Sequence, residues 1–493
     1  MLRRSLLTSA IAASLLTTFS LPAFATQVYE TDLVIIGGGL SGLAAAQSAV
    51  DQGAKPIVLE KEAALGGGGN FPEGSLGVGT RYQKEHNINT TVDQVLIAAL
   101  QYHHYRADPH VLRVLIEESG KTIDWVMDKG AQMRGIRTMY PKDESLMTWH
   151  LFKGGAAGII QRFAKEVRAK GGTILTETPA KKLIVENGKV VGVEAVDGEG
   201  EKVIVKAKKV IIATGGFESN KEMLAKYVND SSALGMFEPV WYRGPVTDGK
   251  NGDGRTGDGI QMAQLGGAGV KGMHTIAGNA PYLADLPPIN QFMGADELKQ
   301  GRCALAQPWL WVDQHGKRFF NESRGSVFVD VYNAMTSAGG VMYNIIDQQK
   351  YDQLVNKGAL LPFNAIVMAG VPPENLKETM KKVNEYAKAG KDPEFGRLPE
   401  HLATFNMEKG PYYALKGIRA FFLTLGGVTV NPKFQALNPQ GDVIDNLYVV
   451  GQDIGGLYDS SYDLRCEGSA SSFAMTSGRL AADNALADVK AGK

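Results

Sequence analysis

Cysteine is nearly absent: the 493 residues contain two, Cys303 and Cys466. That excludes a disulfide framework, a C-x-x-C-H haem attachment and any cysteine-rich zinc or iron–sulfur centre, and no metal site is expected. An excess of one charge is missing as well. Basic and acidic residues number 52 each, giving a formal net charge of zero, so the basic balance that nucleic acid or an anionic membrane would attract is not there. Internal repeats and low-complexity segments are also lacking. The long apolar run is confined to the amino terminus, Leu6 to Leu21.

That run follows Arg3 and Arg4 and precedes Ala23-Phe24-Ala25, a small-x-small cleavage site, so residues 1–25 read as a signal peptide. It is too short to favour a membrane span. The paired arginines before Ser5-Leu6-Leu7 resemble a twin-arginine signal in part. The expected location is therefore periplasmic, with no stable membrane span after signal removal. The remaining length suits two domains, each with a full core.

Glycine, by contrast, is plentiful, at 59 residues. The first cluster organises the chain. Leu33 to Ile36 form a buried-type strand, followed by Gly37, Gly39 and Gly42 at the spacing G-x-G-x-x-G and by an alanine-rich helix. Gly37 permits the tight turn, Gly39 leaves room for a pyrophosphate and Gly42 lets helix and strand touch. The helix start offers unpaired N–H groups and a positive dipole end to phosphates. A second strand, Pro56 to Leu59, ends in Glu60, whose carboxylate suits a ribose diol. Strand, glycines, helix, strand and acid in this order predict adenine-dinucleotide binding.

A glycine-rich loop from Leu65 to Thr80 is predicted to wrap the same ligand. Helical periodicity marks Thr91 to Tyr105, His110 to Lys129 and Gly155 to Lys170. Short strands at 173–175, 182–185, 190–195 and 202–206 suggest an antiparallel meander, with Asn187-Gly188 and Asp197-Gly198 as turns. Lys208 to Thr214 is a further buried strand running into ATGGF. Asp258, in Thr256-Gly257-Asp258-Gly259, serves equally well as a ligand contact or a helix cap. Residues 274–425 have an irregular, aromatic texture and read as a second domain inserted between 26–273 and 426–493. Pro373 to Ala389 is an amphipathic helix there. A last helix covers Gly468 to Leu486. The chain carries no second nucleotide fingerprint, hence no evident NAD(P)H site.

With these motifs placed, the chain resembles the FAD-dependent oxidoreductase superfamily of fumarate reductase and succinate dehydrogenase flavoproteins, closest in type to soluble periplasmic fumarate and urocanate reductases without their haem domain. The resemblance rests on VIIGGGLSG, VLEK with Lys61, Gly68-Gly69-Asn70, ATGGF, TGDG, GKRFFNE (316–322), PYYALK (411–416), LTLGG (423–427), LYVVG and GRLAA (478–482). It implies an α/β fold: a Rossmann-like FAD-binding domain with an inserted α+β capping domain. It also implies that Ser41, Glu60, Asn70, Ala180, Asp258, Ala470 and Ser471 contact FAD, and that Gln452 replaces a usual glutamate.

The catalytic positions depart from the family pattern. Leu464-Arg465-Cys466-Glu467-Gly468-Ser469-Ala470 aligns with N-R-x-G-G-N-A, which keeps Arg465 as a candidate fork for a substrate carboxylate. Two family histidines are replaced, by Leu423 and within Gly278-Asn279-Ala280-Pro281. A second carboxylate would then be buried without partners, a penalty on the order of several kcal/mol. Ser326 stands at the proton-donor arginine position, leaving Arg324 and Tyr462 as alternative acids. His150 reads as a structural histidine.

The resemblance thus implies an exported reductase moving hydride from flavin N5 to an α,β-unsaturated carboxylate. The substrate expected is a monocarboxylate with an apolar or aromatic tail, not fumarate. Electrons would come from a cytochrome c or a quinol-linked donor. Two alternatives stand beside it: a dehydrogenase placing a double bond next to a carbonyl, as in ketosteroid dehydrogenases, and a catalytically silent flavin-binding protein. Cleavage after Ala25 predicts a mature chain beginning at Thr26; sequencing the amino terminus of the exported protein should read Thr-Gln-Val, and an intact Met1 terminus would contradict it.

Overall fold

A computed structural model describes residues 26–140, 145–228, 254–283, 305–356, 372–408, 410–459 and 461–493. The expected signal peptide and Cys303 lie outside them.

The first strand, β1 (Gln27–Ile36), passes through Gly37 into α1 (Leu40–Asp51) and returns as β2 (Ile57–Leu59). Leu33, Val34, Ile35 and the three alanines Ala44 to Ala46 are all at most 1% exposed, which is why the strand is apolar over its last four residues, Leu33 to Ile36, and the helix small-sided. Three short strands follow, β3 (Gly74–Leu76), β4 (Met133–Arg137) and β5 (Trp149–Phe152), paired in the order β3-β5-β4. Next come β6 (Thr173–Leu175), β7 (Ala180–Glu186), β8 (Lys189–Val196) and β9 (Lys202–Ile212).

Two expectations are corrected here. Thr173–Leu175 is not part of the meander; it pairs parallel with β2 and forms an edge of the main sheet. The runs 202–206 and 208–214 are one strand rather than two. Its first half is shared between antiparallel β8 and parallel β1, while its last residues pair with β1 and β17 (Val443–Val449). Lys209, the polar break that divides the runs in sequence, is buried with its ammonium on Asn446 Oδ1 at 2.7 Å. The main sheet therefore runs β16 (Gln435–Leu437)-β17-β9-β1-β2-β6, with β8 and β7 branching from β9.

β10 (Val270–Lys271) pairs antiparallel with β15 (Gly427–Val428), and a four-stranded antiparallel sheet has the order β11 (Ile276–Leu283)-β14 (Tyr412–Thr424)-β13 (Val341–Asp347)-β12 (Trp311–Val312). The helix Pro373–Ala389 lays Met380 and Val383 against it. The Gly316–Glu322 run is a structural clasp. Arg318 reaches Glu322 at 2.6 Å and Asp392 at 2.8 Å, all with fully buried side chains. From this sheet β14 descends to Leu425 and Gly426, and so carries Phe422 and Leu423 to the carboxyl ends of the main-sheet strands.

Close packing at the first glycines fixes that junction. A Cβ on Gly42 would lie 1.9 Å from Gly37 O, and one on Gly37 would lie 2.2 Å from Ala213 O. Gly42→Ala is expected to lower the unfolding free energy by about 1–3 kcal/mol or more. Gly158→Ala, in a helix where the added Cβ would meet nothing nearer than 3.8 Å, should be neutral or slightly stabilising. Denaturant unfolding of the two variants checks the contrast.

Candidate active site

One cavity of about 760 Å³ opens beyond the carboxyl ends of β1, β2 and β9, where Ile36, Leu59 and Ala213 line it. This is the place where open parallel sheets receive ligands. Its first region is a backbone cradle. Gly37, Gly39, Ser41, Glu60, Lys61, Gly68, Gly69, Asn70, Ala180, Asp258, Gln452, Ala470 and Ser471 all line it. Gly42 does not, because it packs on Gly37 from behind.

Gly39 is the amino-terminal cap residue of α1, and a Cβ there would meet protein only at Gly66 O, 3.8 Å away, so its open side is the cavity. Glu60 accepts from the Gly38 N–H at 2.7 Å and the Glu62 N–H at 2.8 Å. Burial pushes its pKa up against those two bonds. Asp258 does not cap its helix; that position is Gly257, and the Asp258 carboxylate takes the Lys61 ammonium at 2.7 Å. Asn70 folds back on its own turn, donating to Leu65 O at 3.1 Å. The Gln452 amide donates to Thr424 O at 2.9 Å and to the buried Glu218 carboxylate.

A second helix start meets the first. The helix Ser469–Lys490 begins after Gly468, at φ +83°, and its Ala470 and Ser471 face the cavity. The Ser471 hydroxyl donates to Gly74 O and receives the Ser75 hydroxyl, both at 2.8 Å. Gly478 lets this helix lie on α1, since a Cβ there would be 2.2 Å from Ser41 O. Two positive helix ends therefore converge on one cradle, the arrangement a pyrophosphate requires. The cradle thus fits FAD: glycine backbone, two helix starts and an acid at the end of β2.

Beyond the cradle the walls become aromatic. Tyr462 meets Phe422 edge-on with ring centres 5.4 Å apart, and stacks at 6.4 Å on Phe328. Leu423, Tyr458, Trp149 and Met139 complete this end. Tyr462 is buried, and burial together with nearby Asp463 pushes its hydroxyl pKa up, so it holds its proton.

The two arginine candidates lie elsewhere. Arg465 is exposed, at φ +59°, and is not among the cavity walls. Arg324 pairs with Asp330 at 2.8 Å and is likewise not a wall residue. His150 is buried between Thr80 Oγ1 and Thr148 O, both at 2.8 Å, and burial lowers its pKa to about 4.

Several wall residues escape the motif reading. Arg255 is buried beside the cradle, donating to Phe422 O at 3.2 Å with Glu218 at 3.5 Å. Asp463 and Glu467 flank Arg465 in sequence, yet they line the cavity where Arg465 does not. Asp463 and Glu467, the acids two residues to either side of Arg465, were the available signal. Behind the cradle, Asp453 accepts from Thr214 Oγ1 at 2.7 Å and the Gly215 N–H at 2.6 Å, and burial raises its pKa to about 7.

Residues 32–468 match the family model described as "FAD binding domain". Over 487 residues the chain is 28% identical to a vinyl phenol reductase of Lactiplantibacillus plantarum, covering 91% of this chain and 94% of that protein. It is 28% identical to a fumarate reductase (cytochrome) of Shewanella frigidimarina over 483 residues, 94% of this chain and 78% of that protein. In three dimensions it is similar to a 3-ketosteroid-delta4-(5alpha)-dehydrogenase from Rhodococcus jostii RHA1, with TM-score 0.72, 21% identity and coverage of 93% and 97%.

Asp453 yields a pH prediction. Its pKa is about 7 in the fold against 3.8 unfolded, so between these values the folded state binds the extra proton and stability falls as pH rises. Relative to Asp453→Asn, the wild-type protein should lose stability from about pH 4 to about pH 7 and be level above. Urea unfolding of both proteins across that range checks the sign.

Proposed function

Because the chain belongs to the FAD-binding domain family, we propose that it is a periplasmic FAD-dependent reductase of carbon–carbon double bonds whose substrate carries an apolar or aromatic tail. The observation carrying this reading is the continuity of the glycine cradle with the chamber of Phe328, Phe422, Leu423 and Tyr462 in one cavity. When bound, FAD supplies the hydride. Everything else falls to the chain.

The aromatic walls exclude water and orient the tail. Tyr462, kept protonated by burial, is assigned as proton donor to the carbon left electron-rich; a phenol held beside that carbon is a competent acid. Arg324 would have to leave Asp330 to take this role. Arg465 would have to turn in from solvent to grip a carboxylate of an unsaturated monocarboxylic acid. The tail is therefore the principal recognition element and the acid group secondary. Fumarate offers no tail, and its two carboxylates would face Leu423 and Phe422. With no NAD(P)H fingerprint, electrons come from a cytochrome c or a quinol-linked donor, and the twin-arginine leader exports the folded protein.

A second reading shares the apolar walls: oxidation of a cyclic ketone next to its carbonyl. An anaerobic assay separates them. The dithionite-reduced holoprotein is mixed with a cinnamate-type acid, the matching vinylarene, urocanate and fumarate, while oxidised protein receives a ketosteroid and a dye acceptor. Rapid reoxidation by the aromatic alkenes, at least tenfold faster than by fumarate, is expected, and Tyr462→Phe should slow it by about 10²-fold or more. Fastest reoxidation by fumarate overturns the tail argument. Dye reduction by the ketosteroid alone establishes the dehydrogenase, and no response in either arm a silent flavin protein.

A further inference from the structure

Asp463 is 2% exposed and lines the aromatic end of the cavity. Its φ of +78° places it in the left-handed region, where aspartate is among the better tolerated residues. The turn is held from behind by His103, whose ring nitrogens meet Asp459 O and Asp463 O, both at 2.8 Å. One carboxyl oxygen accepts the Leu464 N–H at 3.0 Å. Among the described residues the other oxygen has no hydrogen-bond partner, and no basic side chain pairs with it. An aspartate buried this deeply normally has both oxygens satisfied.

Its neighbours narrow what that oxygen can take. Glu467 also lines the cavity, and its Oε1 accepts both the Thr138 hydroxyl at 2.9 Å and the Met139 N–H. Burial, with Glu467 and Asp330 nearby, pushes the Asp463 pKa well above the usual carboxylate range. A carboxylate placed here would sit among acids. A hydroxyl avoids that repulsion and supplies the proton that the open oxygen can accept. The adjoining slot, formed by Phe328, Phe422 and Tyr462, is shaped for a ring.

We propose that Asp463 is a substrate-binding residue whose open carboxyl oxygen accepts a hydrogen bond from a hydroxyl on the substrate's aromatic ring, so that the cavity prefers phenols. This rests on the reading above for the aromatic tail, and extends it from the shape of the tail to its polar group. Asp463 thereby becomes the residue that separates hydroxylated from unsubstituted rings.

Equilibrium binding to oxidised holoprotein, with no reductant present, tests the proposal independently of turnover. The probes are para-ethylphenol, para-ethylanisole, para-ethylbenzoate and para-ethylbenzylamine, read by perturbation of the flavin spectrum. The phenol should bind on the order of tenfold more tightly than its methyl ether, the value of one well-made hydrogen bond in an enclosed site. Asp463→Ala should weaken the phenol to the level of the ether and leave the ether unchanged, with flavin content as the check on folding. Equal affinity of phenol and ether for wild-type protein overturns the proposal even if the variant does not fold. So does tighter binding of the benzoate or the benzylamine, or an Asp463→Ala protein that keeps the preference. A phenol preference in a protein that never reduces para-vinylphenol would uphold Asp463 while removing the reductase reading.

Discussion

Backbone touching backbone at Gly37 and Gly42 is the contact on which the site depends. Gly37 lies against Ala213 O at the end of β9, and its own carbonyl is covered by Gly42 of α1, at distances that leave no space for a methyl group. The start of α1 is thereby pinned over the ends of three parallel strands. Gly478 repeats the device between α1 and the carboxyl-terminal helix, against Ser41 O. Two helices that would otherwise be held apart by side chains lie in contact, and both present unpaired N–H groups to one cradle. Each end carries roughly half a positive charge that fades within a turn, so closeness decides whether their fields add.

What the sequence reveals follows from the range over which each feature is determined. The unit from β1 to Glu60 is legible because strand, turn, helix and second strand are consecutive and each has its own period or punctuation. Thr173–Leu175 reads as a strand but not as an edge of the parallel sheet, because its partner β2 lies more than a hundred residues earlier. The continuity of β9 is hidden by Lys209, a charge that suggests a boundary until Asn446 is seen to receive it. The same limit governs the site. Gly37, Gly39, Glu60 and Asp258 belong to local motifs, and the fold brings them to one cavity, while Gly42 packs behind it.

The aromatic end has no such local code. Arg465 and its acidic neighbours lie within five residues of one another, and only the left-handed turns at Asp463 and Arg465 decide which side chains face inward. A pattern match can therefore carry Arg465 into the site while the fold carries Asp463, Tyr462 and Glu467 there instead. Arg255 illustrates the converse. Nothing in its spacing marks it, yet the descent of β14 from the second sheet brings Phe422 O to its guanidinium.

The distribution of charge around the cavity then bears on what can occupy it. Its basic wall residues are each matched by an acid: Lys61 by Asp258, Arg134 by Glu73 and Arg255 by Glu218. The unmatched positive potential is that of the two helix ends, and it lies at the cradle. At the aromatic end the polar side chains are the carboxyls of Asp463 and Glu467 and the tyrosine hydroxyls, whose pKa values burial raises. The cavity is polarised along its length, positive where a pyrophosphate belongs and ring-walled and acidic in character where a second molecule would enter. A dianion gains nothing at that end and loses its hydration; a flat ring with one hydroxyl loses little and finds both a slot and an acceptor.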